Sequence, residues 1–432
     1  MDLLDDSIVP EHARDVKAEA REFARERIEP NAQEYFQSGE YPHDVLEAGQ
    51  EANLVAQDIP EEWGGRGLDL PQLLALAEEF YRADAGIALT LQLASFGCEI
   101  TYEYGSDEQC ERYVRPVAEG DQISGLAVSE PETGSDLAGM RTRAEKSEAQ
   151  SASERSSAER SSADRSSGLR GGEAASNGTA KPSPRPREDG AAAEKEGDEY
   201  VINGEKYWIG NGVEADWITV YARTGDDEDD RYGNHSMFIV PTDTEGYEAE
   251  HIPEKMAMRA SKQAHITFDD CRIPESNLIG YEGAGFTMLA DFFNRGRVIV
   301  AGHGLGLAAA AIEEAWEFTH DREEFGRTIS EFQAVQHGLA DMLIGFESAR
   351  TLTWRACEKV ERRENAGYWA ALAKTAATEA AVDVSERGMQ FHGGRSILDE
   401  RRIARVYRDA RIPVIYEGAN EIQRNLIYGQ AP

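Results

Sequence analysis

The chain has 432 residues, enough for two or three subdomains around large cores. Its 81 acidic side chains outnumber 45 basic ones, 9 Lys and 36 Arg, for a net charge of −36. Nucleic acid and anionic membrane surfaces both need a positive face, so this balance excludes them as partners.

Such acidity points to a salt-adapted protein, in which dissolved ions screen the self-repulsion of the surface. Folding and activity are therefore expected to fail when KCl is dialysed away, followed by circular dichroism and turnover; full stability in dilute buffer would contradict this. The four cysteines (98, 110, 271 and 357) are scattered, without a Cys-x-x-Cys pair or a nearby His at ligand spacing. No disulfide framework or metal site is expected, and reduced buried thiols are the default. The opening Met-Asp-Leu-Leu-Asp-Asp is no signal peptide, and no run of 18 apolar residues suggests a membrane span. The expected location is cytoplasmic.

Residues 1–122 read as helical: Val16, Phe23 and Ile28, then Leu73, Leu76, Ala77 and Phe80, repeat at helical spacing. Over 123–280 the texture changes to short β-branched and aromatic runs. Tyr200-Val201-Ile202 precedes Asn203-Gly204, a hairpin-turn signal, and Trp217–Tyr221 and Met237–Val240 follow as strands. Residues 281–432 return to longer helical segments. Within the middle block, 147–195 is Ser-, Ala-, Glu-, Arg- and Gly-rich and reads as a disordered insertion. Ala144-Glu145-Lys146 recurs as Ala193-Glu194-Lys195, and excising 147–195 leaves an unbroken strand–turn–strand. The insertion is thus expected to extend the loop of a β-hairpin.

Chemistry concentrates near the C-terminus. Glu417 follows the apolar run Pro413, Val414, Ile415 and Tyr416 and precedes Gly418, with Asn420 as the expected cap of a closing helix. A carboxylate among apolar neighbours loses hydration, and its pKa rises toward the range of a general base. Leu126-Ala-Val-Ser-Glu-Pro-Glu-Thr-Gly-Ser-Asp136 is a strand end with a turn that can offer backbone N–H groups and a hydroxyl to a polar ligand. Trp208 supplies a flat face in Asn203–Asn211, and Arg322 a guanidinium suited to pyrophosphate. Gln390-Phe-His-Gly-Gly394 permits close backbone approach, with His392 expected to be structural. Gly304-x-Gly306-x-x-Ala309 mimics a dinucleotide fingerprint. No second strand with a terminal acid follows it, so these glycines are expected on a packed helix.

Together, the Glu-Pro-x-x-Gly-Ser-Asp loop, the Trp208 segment, Arg322–Gln336 and Tyr-Glu-Gly with Ile-Gln-Arg resemble the acyl-CoA dehydrogenases, in family order, from about residue 10 to 430. The resemblance implies a mainly α fold with an N-terminal helical domain, a β-barrel-like middle domain and a C-terminal four-helix bundle. It implies FAD as cofactor, an acyl-CoA substrate, an electron-transferring flavoprotein as acceptor and a homotetramer. Glu417 would take the α-proton while the β-hydride passes to flavin N5, giving a trans-2-enoyl-CoA. Flavin contacts would come from Leu126, Val128, Ser129, Trp208, Gly210, Ala419 and Glu421, with Arg322, Phe325, Phe332, Gln333, Gln390, Gly393 and Gly394 acting in part on a neighbour's FAD. Ser135, Asn294, Arg297, Tyr416 and Gly418 would meet the substrate.

The chain departs from the family pattern at Gly210, Glu324 and Ala419, where hydroxyl residues are usual. An oxidase using oxygen and a non-catalytic flavin or acyl-CoA binding protein are the alternative readings. Thr90–Ser95 holds no Arg for a second carboxylate, which disfavours a dicarboxylyl-CoA.

Overall fold

The computed structural model describes residues 6–147, 198–227 and 229–431. The expected insertion 147–195 lies outside the described residues, save Ser147. The order is helical, β, helical, as the sequence texture predicts.

The N-terminal part holds α1 (Arg14–Phe23), α2 (Ala32–Ser38), α3 (His43–Glu51), α4 (Leu70–Ala83), α5 (Ala85–Leu93) and α6 (Cys98–Tyr104). Asp69 starts α4 with a capping box: it accepts from the Gln72 N–H at 3.0 Å, and the Gln72 side chain accepts from the Asp69 N–H at 3.0 Å. Val16, Phe23, Ile28, Ala77 and Phe80 are buried. Glu78 on α4 pairs with Lys17 of α1 and accepts from Trp354 Nε1 at 3.0 Å, and Arg350 approaches it at 3.3 Å. Burial pushes the Glu78 carboxyl up, but Lys17 and Arg350 outweigh that and hold it below the usual range.

Eight strands form the middle sheet: β1 (Ser124–Ala127), β2 (Arg143–Ser147), β3 (Glu199–Gly210), β4 (Trp217–Arg223), β5 (His235–Pro241), β6 (Tyr247–His251), β7 (Gln263–Pro274) and β8 (Leu278–Ile279). The order is β6-β7-β3-β2-β4-β5-β8, with β1 parallel to β4. β2 and β3 pair antiparallel up to Ser147↔Glu199, so the segment between them joins the ends of a hairpin. Asn203-Gly204, expected as a hairpin turn, is instead inside β3. Its register against β7 shifts between Ile202 and Gly204, a bulge with Gly204 at φ 141°.

The C-terminal part holds α7 (Gly285–Asp321), α8 (Gln333–Glu361), α9 (Ala366–His392), α10 (Arg402–Ala410) and α11 (Asn420–Gln430). α7 is long and apolar enough to cross a bilayer, but 83% of its apolar window is buried inside the protein, as in a core helix. Gly304 and Gly306 lie in its middle. A Cβ on Gly304 would stand 2.7 Å from the Ala377 backbone of α9, and one on Gly306 2.7 Å from the Glu78 carbonyl of α4. Close helix packing, rather than a nucleotide, accounts for both glycines.

Candidate active site

Glu417 lies in the connection between α10 and α11. Glu417 and Gly418 are both left-handed, at φ 54° and 85°. For a non-glycine residue that conformation is uncommon and persists where the surroundings enforce it. The residue is half-buried, yet its Oε2 is shut off from water and has no hydrogen-bond partner. Loss of hydration pushes its pKa up to about 7, against the pull of Arg297 and Lys374. The Glu417 N–H meets no acceptor among the described residues. The turn therefore presents an unsatisfied carboxylate oxygen and a free donor side by side.

α7 passes Glu417 at Gly296, where a Cβ would stand 3.4 Å from Glu417 Oε2. Next along that helix, Arg297 donates to Asn294 Oδ1 at 3.3 Å, and its Nε is buried without a partner. Gly296 also lines a cavity of about 100 Å³ walled by Leu54, Phe80, Leu91, Phe96, Phe292 and Ile299. Gln57, Asp58, Gln92, Ser95 and Glu99 also line it. Tyr416 Oη bonds His303 Nδ1 at 2.6 Å, and the His303 ring stacks on Tyr81 at 3.7 Å. Burial keeps His303 far below its ordinary pKa, so the imidazole bonded to Tyr416 is neutral. Glu417, Gly418, Tyr416, Asn294 and Arg297 are thus brought together. Ser135 is exposed on its loop, and no hydrogen bond or ion pair ties its side chain to them among the described residues.

The second group is built on β1 and β3. Leu126 and Val128 are buried in the core shared with the helices, and the Ser129 carbonyl accepts from the Tyr207 N–H at 2.8 Å. Trp208 sits at φ 64° in the second bulge of β3, with 58% of its surface open. Gly210 packs on Leu93, which a Cβ would meet at 2.5 Å. Under this group, fully buried Lys206 donates to the Val128 carbonyl at 2.8 Å and to Glu130 Oε1 at 3.1 Å. Glu130 also accepts from the N–H groups of Arg141 and Thr142, at 2.7 and 2.8 Å. Burial pulls Lys206 down to about 8, still charged at neutral pH. It pushes Glu130 up, but Lys206 and the two N–H donors hold that carboxyl below the usual range.

The third group lies elsewhere on the surface. Phe325-Gly326 turns a two-residue hairpin between Glu323–Glu324 and Arg327–Thr328, leaving Phe325 93% exposed. Its ring meets Phe332 edge-on at 6.1 Å, and Gln333 opens α8. Arg322 is ion-paired to Glu324, so the acidic departure from the family pattern occupies the guanidinium. Gln390 is exposed, Gly393 and Gly394 have open space where a side chain would stand, and Gly393 takes φ 57°. His392 is structural: Nδ1 bonds the Gly388 carbonyl at 2.8 Å and the ring stacks on Phe318. Among the described residues no hydrogen bond, ion pair or ring contact joins this third group to Glu417 or Trp208.

Two expectations at the closing helix change. Asn420 is the first residue of α11 rather than its cap; Ala419 precedes it and no side chain caps the end. The Asn420 amide instead points inward, donating to Thr378 Oγ1 at 3.0 Å and accepting from Lys374 at 2.8 Å. Glu421 follows it, exposed. Sequence reading also missed Glu130, Lys206, Gly296, His303 and Lys374. The signal for Lys374 is a lone cation in the Ala-rich run Ala370–Ala380, in a chain with few lysines. No group of His, Cys, Asp or Glu suited to a metal occurs among the described residues.

Sequence profiles for the acyl-CoA dehydrogenase N-terminal, middle and C-terminal domains match residues 10–121, 187–271 and 283–431. The short-chain specific acyl-CoA dehydrogenase of Rattus norvegicus mitochondria is 32% identical over 423 residues, 98% of this chain and 90% of that protein. Butyryl-CoA dehydrogenase from Megasphaera elsdenii superposes with a TM-score of 0.82 at 27% identity, over 99% of both chains. A chain in a structure of the electron transferring flavoprotein of Acidaminococcus fermentans gives 0.81 at 29% identity, covering 99% of this chain and 98% of that one. The three-part fold, the left-handed Glu417–Gly418 turn and these matches have one reading: the chain belongs to the acyl-CoA dehydrogenases, a family of FAD-dependent oxidoreductases.

Proposed function

We propose that this chain converts a short-chain acyl-CoA to the trans-2-enoyl-CoA, with Glu417 as the base that removes the α-proton. The observation that carries the reading is the buried, unpartnered Glu417 Oε2 beside an apolar-walled cavity. Held out of water, the carboxylate is basic enough to accept a proton from a thioester α-carbon and is still half ionised near pH 7. The free Glu417 N–H is a donor for the thioester carbonyl, where enolate charge develops. Tyr416 and Gly418 flank that position, with Arg297 and Asn294 behind it. Ser135 is proposed for the phosphate-bearing arm of CoA.

The residues suit FAD. Trp208 offers an open indole face, and Gly134 is uncrowded, with only Ser129 Oγ, at 3.9 Å, near an added Cβ. Leu126, Val128, Ser129, Trp208, Gly210, Ala419 and Glu421 would hold it within the chain. When bound, FAD supplies the acceptor for the β-hydride. Arg322, Phe325, Phe332, Gln333, Gln390, Gly393 and Gly394 are proposed to act on a neighbour's FAD in a homotetramer. In support, Phe325 is bare and the Gly393–Gly394 pair has open space. Electron-transferring flavoprotein is the proposed acceptor, supported by the Acidaminococcus match.

The short chain length is supported by the small size of that cavity, about 100 Å³, and by the likeness to short-chain specific acyl-CoA dehydrogenase.

The pH profile tests the base. An ionised Glu417 is required, so kcat/KM should fall about tenfold per unit below an inflection near 7, measured by flavin reduction from pH 5.5 to 9. A profile flat down to pH 5.5 would sink the assignment.

A further inference from the structure

We propose that Lys374 is the positioning residue of the reaction, locking the Glu417–Gly418 turn and adding to the counter-charge that Arg297 gives the base. The inference rests on Glu417 being the base.

Two consecutive left-handed residues, one of them a glutamate, need outside restraint. The restraint comes from two side chains. Lys374 Nζ donates to the Gly418 carbonyl at 2.9 Å and to Asn420 Oδ1 at 2.8 Å. Gln423 Nε2 donates to the same Gly418 carbonyl at 2.9 Å and to the Glu417 carbonyl at 3.3 Å. Asn420 is fixed in turn by Thr378 Oγ1, one helical turn beyond Lys374 on α9. One face of α9 therefore grips the chain just after the base at two points: the Gly418 carbonyl and the first residue of the helix that follows.

The choice of lysine for this work is informative. Lys374 is fully buried, and its α9 neighbours Ala370, Ala371, Ala373 and Ala377 are fully buried too. Both of its hydrogen-bond acceptors are neutral, which is a poor exchange for burying an ammonium unless its charge is used. Burial pulls its pKa down to about 7, against the pull of Glu417, Glu421 and Glu379 and with a push from Arg297. The charges acting on Glu417 are Arg297 from α7 and Lys374 from α9. Tyr416, alongside the base, and Tyr81 from α4 are both held well above the usual phenol range by burial and stay neutral. Lys374 thus does two jobs with one group. Its hydrogen bonds aim the carboxylate, and below about pH 7, where it is charged, it favours the ionised form that can accept a proton.

Three variants separate these jobs: Lys374→Met removes both, Lys374→Gln keeps a donor without charge, and Lys374→Arg keeps charge and donors. Each is purified with flavin bound and assayed anaerobically with butyryl-CoA across pH, KM and kcat apart. In K374M the acid limb of kcat/KM should move up by about one unit, and kcat on the high-pH plateau should fall about 100-fold. K374Q should show the same shift of the limb with a smaller loss on the plateau, and K374R should restore the limb. If K374M fails to fold, the K374Q and K374R profiles carry the decision. A wild-type acid limb in both K374M and K374Q, or in K374Q alone where K374M does not fold, would overturn the proposal. If Glu417→Gln itself keeps turnover, the base assignment fails first. If that variant is dead while the lysine variants keep a wild-type limb, only the role of Lys374 falls.

Discussion

Glu417→Gln is expected to lower the rate of flavin reduction by acyl-CoA by at least about 1,000-fold, while flavin and acyl-CoA still bind. The amide is nearly isosteric, so the left-handed turn and the cavity beside Gly296 should survive. What disappears is proton affinity. No second carboxylate stands in its place: Asp58 and Glu99, on the same cavity, are committed to Tyr102 at 3.1 Å and Arg295 at 3.0 Å. Stopped-flow reduction of the variant checks this, with the visible spectrum confirming bound flavin. Turnover within tenfold of the wild type would place the base elsewhere.

Lys206→Met carries the largest expected effect on stability. Lys206 and Glu130 form a buried pair that ties β3 to the loop after β1 and, through two N–H groups, to the entry of β2. Removing the lysine leaves a buried carboxylate without its counter-charge, at a cost of about 3–5 kcal/mol. Because that pair also fixes the Val128 carbonyl and underlies Ser129, flavin should be lost at a lower temperature than the wild type loses it. Pairing the change with Glu130→Gln should recover only part of the loss, since Arg141 and Thr142 donate to different carboxylate oxygens and the single amide oxygen can accept from only one of them. Unfolding followed by intrinsic and flavin fluorescence measures both. A single variant within about 1 kcal/mol of the wild type would show that the pair is not needed for this corner of the fold.

Much of this architecture was legible because the hydrophobic periods are regular and local. Helical spacing at Val16, Phe23 and Ile28, and the β-branched runs that became β4 and β5, needed no tertiary information. Asn203-Gly204 failed because a two-residue turn signal is local, whereas long antiparallel pairing with β7 keeps β3 continuous and turns the glycine into a bulge. Asn420 failed for a related reason. A side chain that could cap its own helix is claimed by Thr378 and Lys374, 42 and 46 residues away in sequence. The Tyr416–Gly418 segment was readable as a motif, but not the buried Lys374 bonded to it, because nothing nearby in sequence says which face of α9 meets the turn. Gly304 and Gly306 show the opposite case: the dinucleotide reading could be rejected from sequence, and the backbone contacts to α9 and α4 supply the physical reason. The residues around Arg322 and Gly393 were named from family pattern, and within one chain they remain on the surface, separate from the base.

The most direct test is anaerobic titration of the purified protein, in molar KCl, with saturated acyl-CoAs of increasing length while the flavin absorbance is followed. The account predicts a bound flavin that bleaches, fastest with a short acyl chain. A flavin that no acyl-CoA reduces, or a protein that carries none, would contradict it.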